Sequence, residues 1–362
     1  MRVLVSGASI AGPAVAYWLS RHGFAVTVVE QAPALRPGGQ AIDVRGVALE
    51  VVERMGLMPR VQAVKTRMRG MTMYDREGTE EWSSTEMTMS AGRLDSPDVE
   101  LLREDLCAFL HEATRDQVDY VFGDSVTAVE PDGRVEFERG RPAVYDLVIG
   151  ADGLHSTVRR LVFGPERDFL HSLRARLAIF SAPNFLGLDN WQVWQRDGLR
   201  GYCVYPVRDN AEVRVIGGFE AGPEEHLERV DAGGLKQLVA DRFAGFGGHT
   251  AEMLTAMWSA DDLYSDVMAQ VRMPAWTSGR VALVGDAACC PSPITGQGTS
   301  LALVGAYVLG TELGRSGGDP GPAFAAYERR MRPFVDANQA LARPDRQPDD
   351  SALDLAKNAI TL

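Results

Sequence analysis

The stretch Gly279–Gly298, GRVALVGDAACCPSPITGQG, constrains the chain more than any other. Val281-Ala282-Leu283-Val284 is a short apolar run, suited to a strand buried on both faces. Gly285-Asp286 follows at its C-terminal end, where open α/β sheets bind ligands. Pro291, Pro293, Gly296 and Gly298 stiffen the next loop and leave its backbone N–H groups open. An apolar helix is expected from near Ser300 to near Gly314, with about half a positive charge at its start. An ordinary buried strand and turn would explain Val281–Val284 alone. They do not explain an acid at the strand end followed by this proline and glycine spacing. Asp286 is placed to accept hydrogen bonds from ligand hydroxyls.

The N-terminus carries a second signal. Arg2–Val5 reads as a strand, Ala11–His22 as a helix and Ala25–Val29 as a second strand, a compact β-α-β unit. Gly7, Ser9, Ile10, Ala11 and Gly12 form the joining loop. The dinucleotide fingerprint is G-x-G-x-x-G with an acid about 20 residues on. Ser9 replaces the middle glycine, which alters the loop without excluding a pyrophosphate. Glu30, followed by Gln31, falls where a carboxylate would hold ribose hydroxyls. On its own, this loop could be a tight turn in some other α/β protein.

A third signal is Tyr145–Arg160, YDLVIGADGLHSTVRR. Asp146–Gly150 reads as a buried strand ending in Asp152-Gly153, with Ser156 and Arg159 on a following helix. His155 reads as an ordinary helix residue.

Composition narrows the partners. The chain has 362 residues and a net charge of -12, and nucleic acid is excluded for lack of a basic face. Lys65, Lys236 and Lys357 are the only lysines, so arginine supplies most of the positive charge. Cys107, Cys203, Cys289 and Cys290 show no metal spacing, nor do the six histidines, so no metal is expected. Reduced thiols and the lack of a signal-like or membrane-length apolar run point to a cytoplasmic protein off the membrane.

Between the signals, Gln31–Gly46 reads as a turn-rich loop and then a short strand, with Arg36, Asp43 and Arg45 just beyond the β-α-β unit. Arg45 reads as solvated. Val47–Met58 and Leu101–Ala113 read as helices, Gly70–Trp82 as a hairpin, and Leu173–Glu220 as several antiparallel strands. Gly234–Phe246 and Pro322–Ala342 read as helices; Met253–Trp258 and Val267–Met273 read as returning segments. The expected architecture is α/β: a three-layer Rossmann-like unit from residues 1–65, 100–165 and 276–340. A mostly antiparallel sheet from 66–99 and 166–275 interrupts it, and 341–362 form a tail, polar beyond Pro344 and then weakly helical. Trp194 and Tyr205 are the candidates for a wall against a planar substrate.

Gly285–Gly298 resembles the GD motif of class A FAD-dependent monooxygenases, G-D-A-A-x-x-x-P-x-x-G-Q-G, and Asp152-Gly153 with Ser156 and Arg159 resembles their DG motif. With Gly7–Gly12 and Glu30, the likeness covers nearly the whole chain. It departs at Cys289, where many members carry His. Gly38–Asp43, Met55-Gly56-Leu57 and Leu94–Pro97 ahead of Arg103–Leu106 look like the tetracycline-inactivating subfamily and related polyketide hydroxylases. The resemblance implies FAD bound by Asp43, Arg103 and Asp286, by Asp152-Gly153, and by Gly285 and Gly298. It puts Arg36 near the nicotinamide route. It further implies transient NAD(P)H and a flavin C4a-hydroperoxide that hydroxylates an aromatic or enol carbon. Pro293, Gly296, Gln297 and Gly298 would support the reduced flavin through their backbone. Gln40, Trp194, Tyr205 and Pro293 would meet a small aromatic substrate, and a monomer is expected.

Three alternatives share the fold. Oxygen insertion in Baeyer–Villiger fashion is inseparable by sequence. Halogenation is disfavoured, because Trp191 and Trp194 give W-x-x-W rather than W-x-W-x-I-P. A non-catalytic flavin-bearing binder is disfavoured by the intact GD and DG motifs.

Overall fold

Val3–Val5, an apolar run between an exposed Arg2 and Ser6, becomes the middle of strand Arg2–Ser6, which lies inside a six-stranded sheet. In this computed structural model, residues 1–222, 232–342 and 350–362 are described. The sheet runs Thr277–Ser278, Val281–Leu283, Leu147–Gly150, Arg2–Ser6, Ala25–Glu30, Asp119–Phe122, all neighbours parallel except the first pair. The central strands Val281–Leu283, Leu147–Gly150 and Arg2–Ser6 are covered on both faces, which is why they read as apolar runs, whereas the edge strand Asp119–Phe122 is partly exposed. Helices Ala11–Arg21 and Gly298–Arg315 pack together: a Cβ on Gly310 would stand 2.5 Å from that of Trp18, whose ring meets Tyr307 edge-on at 4.9 Å. Helix Pro320–Gln339 locks on through Tyr327, whose hydroxyl donates to the Leu283 carbonyl at 3.0 Å. A three-stranded sheet, Val126–Val129, Arg134–Phe137 and Ala143–Val144, joins the same core through Val126 and Val135.

Two expected helices change. Val47–Met58 divides into Val47–Arg54 and Met58–Val64, because Gly56 takes φ +74° and Pro59 starts a new helix. Leu101–Ala113 begins only at Arg103: Val99–Leu102 is spent as a strand antiparallel to Ala41–Val44. The helix after the Pro/Gly loop begins at Gly298, two residues before Ser300.

The second sheet has seven strands in the order Tyr264–Val271, Leu170–Pro183, Glu212–Glu220, Arg200–Val207, Trp191–Asp197, Gly70–Tyr74, Glu80–Ser84. Only Trp191–Asp197 beside Gly70–Tyr74 is parallel. Its outer face, with Phe180, Tyr202, Val204, Val215 and Phe219, is covered by helices Ala232–Arg242 and Thr250–Ser259. Phe243 meets Tyr202 edge-on at 5.5 Å there. Met253–Trp258 is thus a covering helix, whereas Val267–Met273 does return as a strand. The inner face, with Cys203, Tyr205 and Val207, packs against Leu102 and Ala41 of the strand pair Val99–Leu102 and Ala41–Val44.

The C-terminal segment is docked. Helix Asp350–Lys357 is tied down by Lys357 to Asp98 at 2.9 Å, and the Asn338 amide donates to the Ala356 carbonyl at 3.0 Å. The polar start expected beyond Pro344 lies outside the described residues. Among the described residues, no helix is long and apolar enough to cross a membrane.

Candidate functional site

The glycine loop is built by close approach. Gly7 takes φ +107°, and a Cβ there would stand 2.4 Å from the Ala151 carbonyl oxygen. A Cβ on Gly12 would fall 1.8 Å from the Gly7 oxygen. Ile10 and Ala11 therefore open helix Ala11–Arg21 directly at the strand ends. No side chain caps that helix and no acid lies in its first turn, so its leading N–H groups stay available to an anion. The Glu30 carboxylate is aimed by two backbone donors, Ala8 N–H at 2.8 Å and Ala32 N–H at 2.9 Å. Gln31 beside it is exposed.

Arg103 grips the loop that carries Arg36. Its Nη2 donates to the carbonyls of Arg36 at 2.9 Å and Gly38 at 2.8 Å. Its Nη1 reaches the Cys107 thiol at 3.6 Å, and that sulfur lies 3.6 Å from the Ser9 hydroxyl. Glu104 accepts from Gly38 N–H at 2.6 Å and pairs with Arg208 at 2.6 Å. Arg36 itself is exposed, Gln40 half-buried.

Asp152 is committed locally. It accepts from the Ser156 hydroxyl and from Val158 N–H, the latter at 3.0 Å, and burial raises its pKa. Ser156 is the N-cap of helix Thr157–Val162 rather than a residue within it. Gly153, at φ +81°, has open space where a Cβ would go. Arg159, fully buried, donates from Nη1 to the Ala287 carbonyl at 3.1 Å and so ties the Asp152-Gly153 turn to the Gly285-Asp286 turn.

His155 is a correction to the sequence reading. It precedes the helix and bridges two carboxylates, with Nε2 3.0 Å from Asp266 and Nδ1 3.0 Å from Glu166. Asp266 first, then Glu166, raise its pKa to about 9. Tyr264 donates to the other Asp266 oxygen at 2.7 Å. The sequence held no signal for this chain, because its members lie far apart along it.

Gly285 takes φ +65°, and a Cβ there would come 2.8 Å from that of Ala11, so the acid turn sits on the start of the first helix. Asp286 stands beside the start of the long apolar helix: a Gly298 Cβ would lie 3.8 Å from its Oδ1. Burial pushes the Asp286 carboxyl up, opposed by the Cys290 thiol and Arg159. In the loop between, Pro293 is exposed and Gly296 adopts a left-handed turn at φ +62°. Gln297 is fully buried, yet neither atom of its amide has a partner, nor does the buried Ser292 hydroxyl. Buried polar atoms are seldom left unpaired, and these lie in the turn between Asp286 and the long helix, where a bound group could supply hydrogen bonds.

Arg45 is a second correction. It is 5% exposed, not solvated, and pairs with Asp43 at 3.0 Å against Gly296. The signal available was strand alternation, which puts positions 43 and 45 on one side.

On the inner face of the seven-stranded sheet, cross-strand partners line up as Trp194, Cys203, Ile216, Ile179 and Tyr264. Trp194 is half-buried, its Nε1 donating to Gln192 at 3.1 Å. Tyr205, expected on the wall, has no exposed surface; its hydroxyl accepts from Ala41 N–H at 2.8 Å. It is an interior joint between the sheet and strand Ala41–Val44. No cluster of metal-ligating side chains occurs among the described residues.

These contacts join Gly7, Ala11, Asp152, Gly285, Asp286 and Gly298 into one continuous rim, with open backbone donors, an aimed carboxylate at Glu30 and orphaned polar atoms at Gln297. Those features fit an extended dinucleotide. A family profile described as FAD binding domain matches residues 1–341. The chain is 50% identical over 342 residues to an uncharacterized protein of Mycobacterium tuberculosis (strain ATCC 25618 / H37Rv), covering 94% of this chain and 92% of that one. It is 38% identical over 343 residues to a flavin-dependent monooxygenase of Legionella longbeachae serogroup 1 (strain NSW150), covering 94% and 87%. The crystal structure of tetracycline destructase Tet(51) superposes with a TM-score of 0.87 at 36% identity, covering 100% and 98%.

Proposed function

The chain belongs to the FAD-binding-domain family of flavin-dependent monooxygenases, and from that premise we propose that it uses NAD(P)H and oxygen to hydroxylate a polycyclic phenol or enol, of tetracycline or aromatic polyketide type. The unpartnered Gln297 amide, in the turn between Asp286 and the long helix, is the observation that carries this reading. Bound FAD would supply two-electron transfer and oxygen activation.

The protein's part is to bind, orient and exclude water. Glu30, with Gln31 adjacent, would hold the adenosine end. The N–H groups of Ser9–Gly12, with Arg103 behind them, would face the pyrophosphate. Asp286, with Gly153 and Gly285 around it, would accept from the ribityl chain. The turn Pro293–Gly298 is less open than its sequence suggests, because Thr295, Gly296 and Gln297 spend their N–H groups within it. The N–H groups of Ile294 and Gly298, with the dipole of helix Gly298–Arg315, would favour negative charge on the ring system. The exposed Arg36 suits a transient nicotinamide nucleotide. Gln40, Trp194 and Pro293 would meet the substrate, and the apolar row from Trp194 to Tyr264 suits a flat molecule. A monomer in a reducing, cytoplasmic setting fits four free buried cysteines.

The test is product mass. The purified protein should be yellow, and incubation with NADPH, oxygen and tetracycline should add one oxygen atom. Unchanged tetracycline with bound FAD would redirect the substrate search to polyketides and smaller phenols. Protein that cannot be loaded with FAD would end the reading.

A further inference from the structure

The register of strands Ala41–Val44 and Val99–Leu102 sets Asp43 directly opposite Glu100. The Asp43 side chain is 11% exposed and Glu100 only 6%. Like charges facing each other across a strand pair repel. Glu100 has the Thr66 hydroxyl as donor at 2.6 Å, and nearby Asp98 has Lys357 at 2.9 Å and Gly46 N–H at 2.9 Å. The first turn of helix Gly298–Arg315 brings no acid. Among the described residues, Arg45 is the cation paired with Asp43 itself, Nη2 to Oδ2 at 3.0 Å.

Arg45 is held on several sides. Its backbone N–H donates to the Ser300 hydroxyl at 3.0 Å, and Nη2 to the Ser90 carbonyl at 2.7 Å. The Ser90 hydroxyl accepts from Gln192 at 2.6 Å, and Gln192 accepts from Trp194 at 3.1 Å. One polar line therefore runs from the inner face of the seven-stranded sheet to Asp43. At its end lies Gly296, where a Cβ would come 3.2 Å from Asp43 Oδ2 and 3.4 Å from the Arg45 guanidinium carbon. No side chain separates the carboxyl from the turn that carries Gln297.

We propose that Arg45 is a positioning residue that decides whether Asp43 meets the bound cofactor as a hydrogen-bond acceptor or as a donor; this rests on the function proposed above. An ionised carboxylate only accepts, whereas the protonated form donates through its O–H. Burial, then Glu100 and Asp98, favour the protonated form and Arg45 opposes it, which leaves Asp43 titrating at about 7. A donor favours negative charge on the group it faces; an acceptor opposes it.

The test needs neither substrate nor turnover. Infrared difference titration of the apoprotein, wild type against Asp43→Asn, reads the Asp43 carboxyl directly. Its midpoint should lie near neutral, stay within about one unit in Arg45→Lys, and rise by about 1–3 units in Arg45→Met. Arg45→Gln serves if the Met variant does not fold. FAD affinity across the same range, followed by fluorescence quenching, should show an inflection that moves with these variants and vanishes in Asp43→Asn. A wild-type midpoint near the ordinary carboxyl value of about 4 overturns the proposal. So does a midpoint unmoved by Arg45→Met, or an FAD affinity with no inflection dependent on Asp43. Wild-type protein that binds no FAD at any pH overturns the proposed function and, with it, the donor–acceptor role.

Discussion

The parallel sheet and the seven-stranded sheet offer a ligand different materials. At the edge of the parallel sheet the surface is backbone: Gly7, Gly12 and Gly285 leave no room for a Cβ, and the helix starts at Ala11 and Gly298 have no side-chain cap. On the inner face of the other sheet the surface is side chains, the row from Trp194 to Tyr264. A backbone surface demands glycine at fixed spacing and an acid at a strand end. A side-chain surface demands only alternation, which any half-buried sheet satisfies.

The harshest way to break the comparison is to fill the backbone surface. Gly12→Val forces atoms onto the Gly7 carbonyl, 1.8 Å from the new Cβ. It should cost about 4 kcal/mol or more, or prevent folding, as read by urea denaturation. Gly153→Ala meets nothing within 4 Å and suffers only its φ of +81°, about 1–2 kcal/mol. Equal losses in the two variants would mean that close approach does not fix the loop. Asp286→Ala comes next. Removing a hydrogen-bonded charged acceptor should weaken FAD binding by about 10–100-fold. Apoprotein stability should hardly fall, because burial already disfavours the charge there. A variant that stayed yellow at full occupancy would detach Asp286 from the cofactor.

The same contrast explains what could be read in advance. The β-α-β unit, both acid turns and the antiparallel character of Leu173–Glu220 were legible, since each rests on local spacing or alternation. Arg45 was not, because its burial depends on Ser90 and Ser300, distant in sequence. The start of the helix at Arg103 was hidden because Val99–Leu102 is apolar enough for either state; its pairing with Ala41–Val44 decided it. Tyr205 looked like wall because alternation gives a face, not whether another strand covers it.

His155 tests the seam between the two sheets. Its folded pKa of about 9 lies above the unfolded value of about 6.5. The cation therefore stabilises the fold fully below about pH 6.5, and the contribution fades as pH rises through 9. His155→Gln should lose about 1–2 kcal/mol at pH 6, the figure reduced because the side chain is 41% exposed and solvent-screened. Thermal melts of the two proteins should converge above pH 9 to 10. A gap that persists unchanged at high pH would assign the loss to packing.

Trp194 should give the smallest effect on the cofactor, and that smallness is what sharpens the comparison. Its ring lies on the side-chain surface, and its Nε1 donates to Gln192 rather than toward the Asp286 turn. Trp194→Phe keeps a ring and removes the Nε1 donor. FAD affinity should stay within about twofold, because the donor lost belongs to a neutral hydrogen bond at the far end of the line, worth about 1 kcal/mol or less. Trp194→Ala should leave FAD equally well bound. It should raise the KM for an aromatic substrate by about 2–10-fold, the worth of one aromatic contact. If Trp194→Ala weakened FAD as much as Asp286→Ala, the two surfaces would be one site sharing a single set of contacts. The glycine spacing would then be only half of what binds the cofactor.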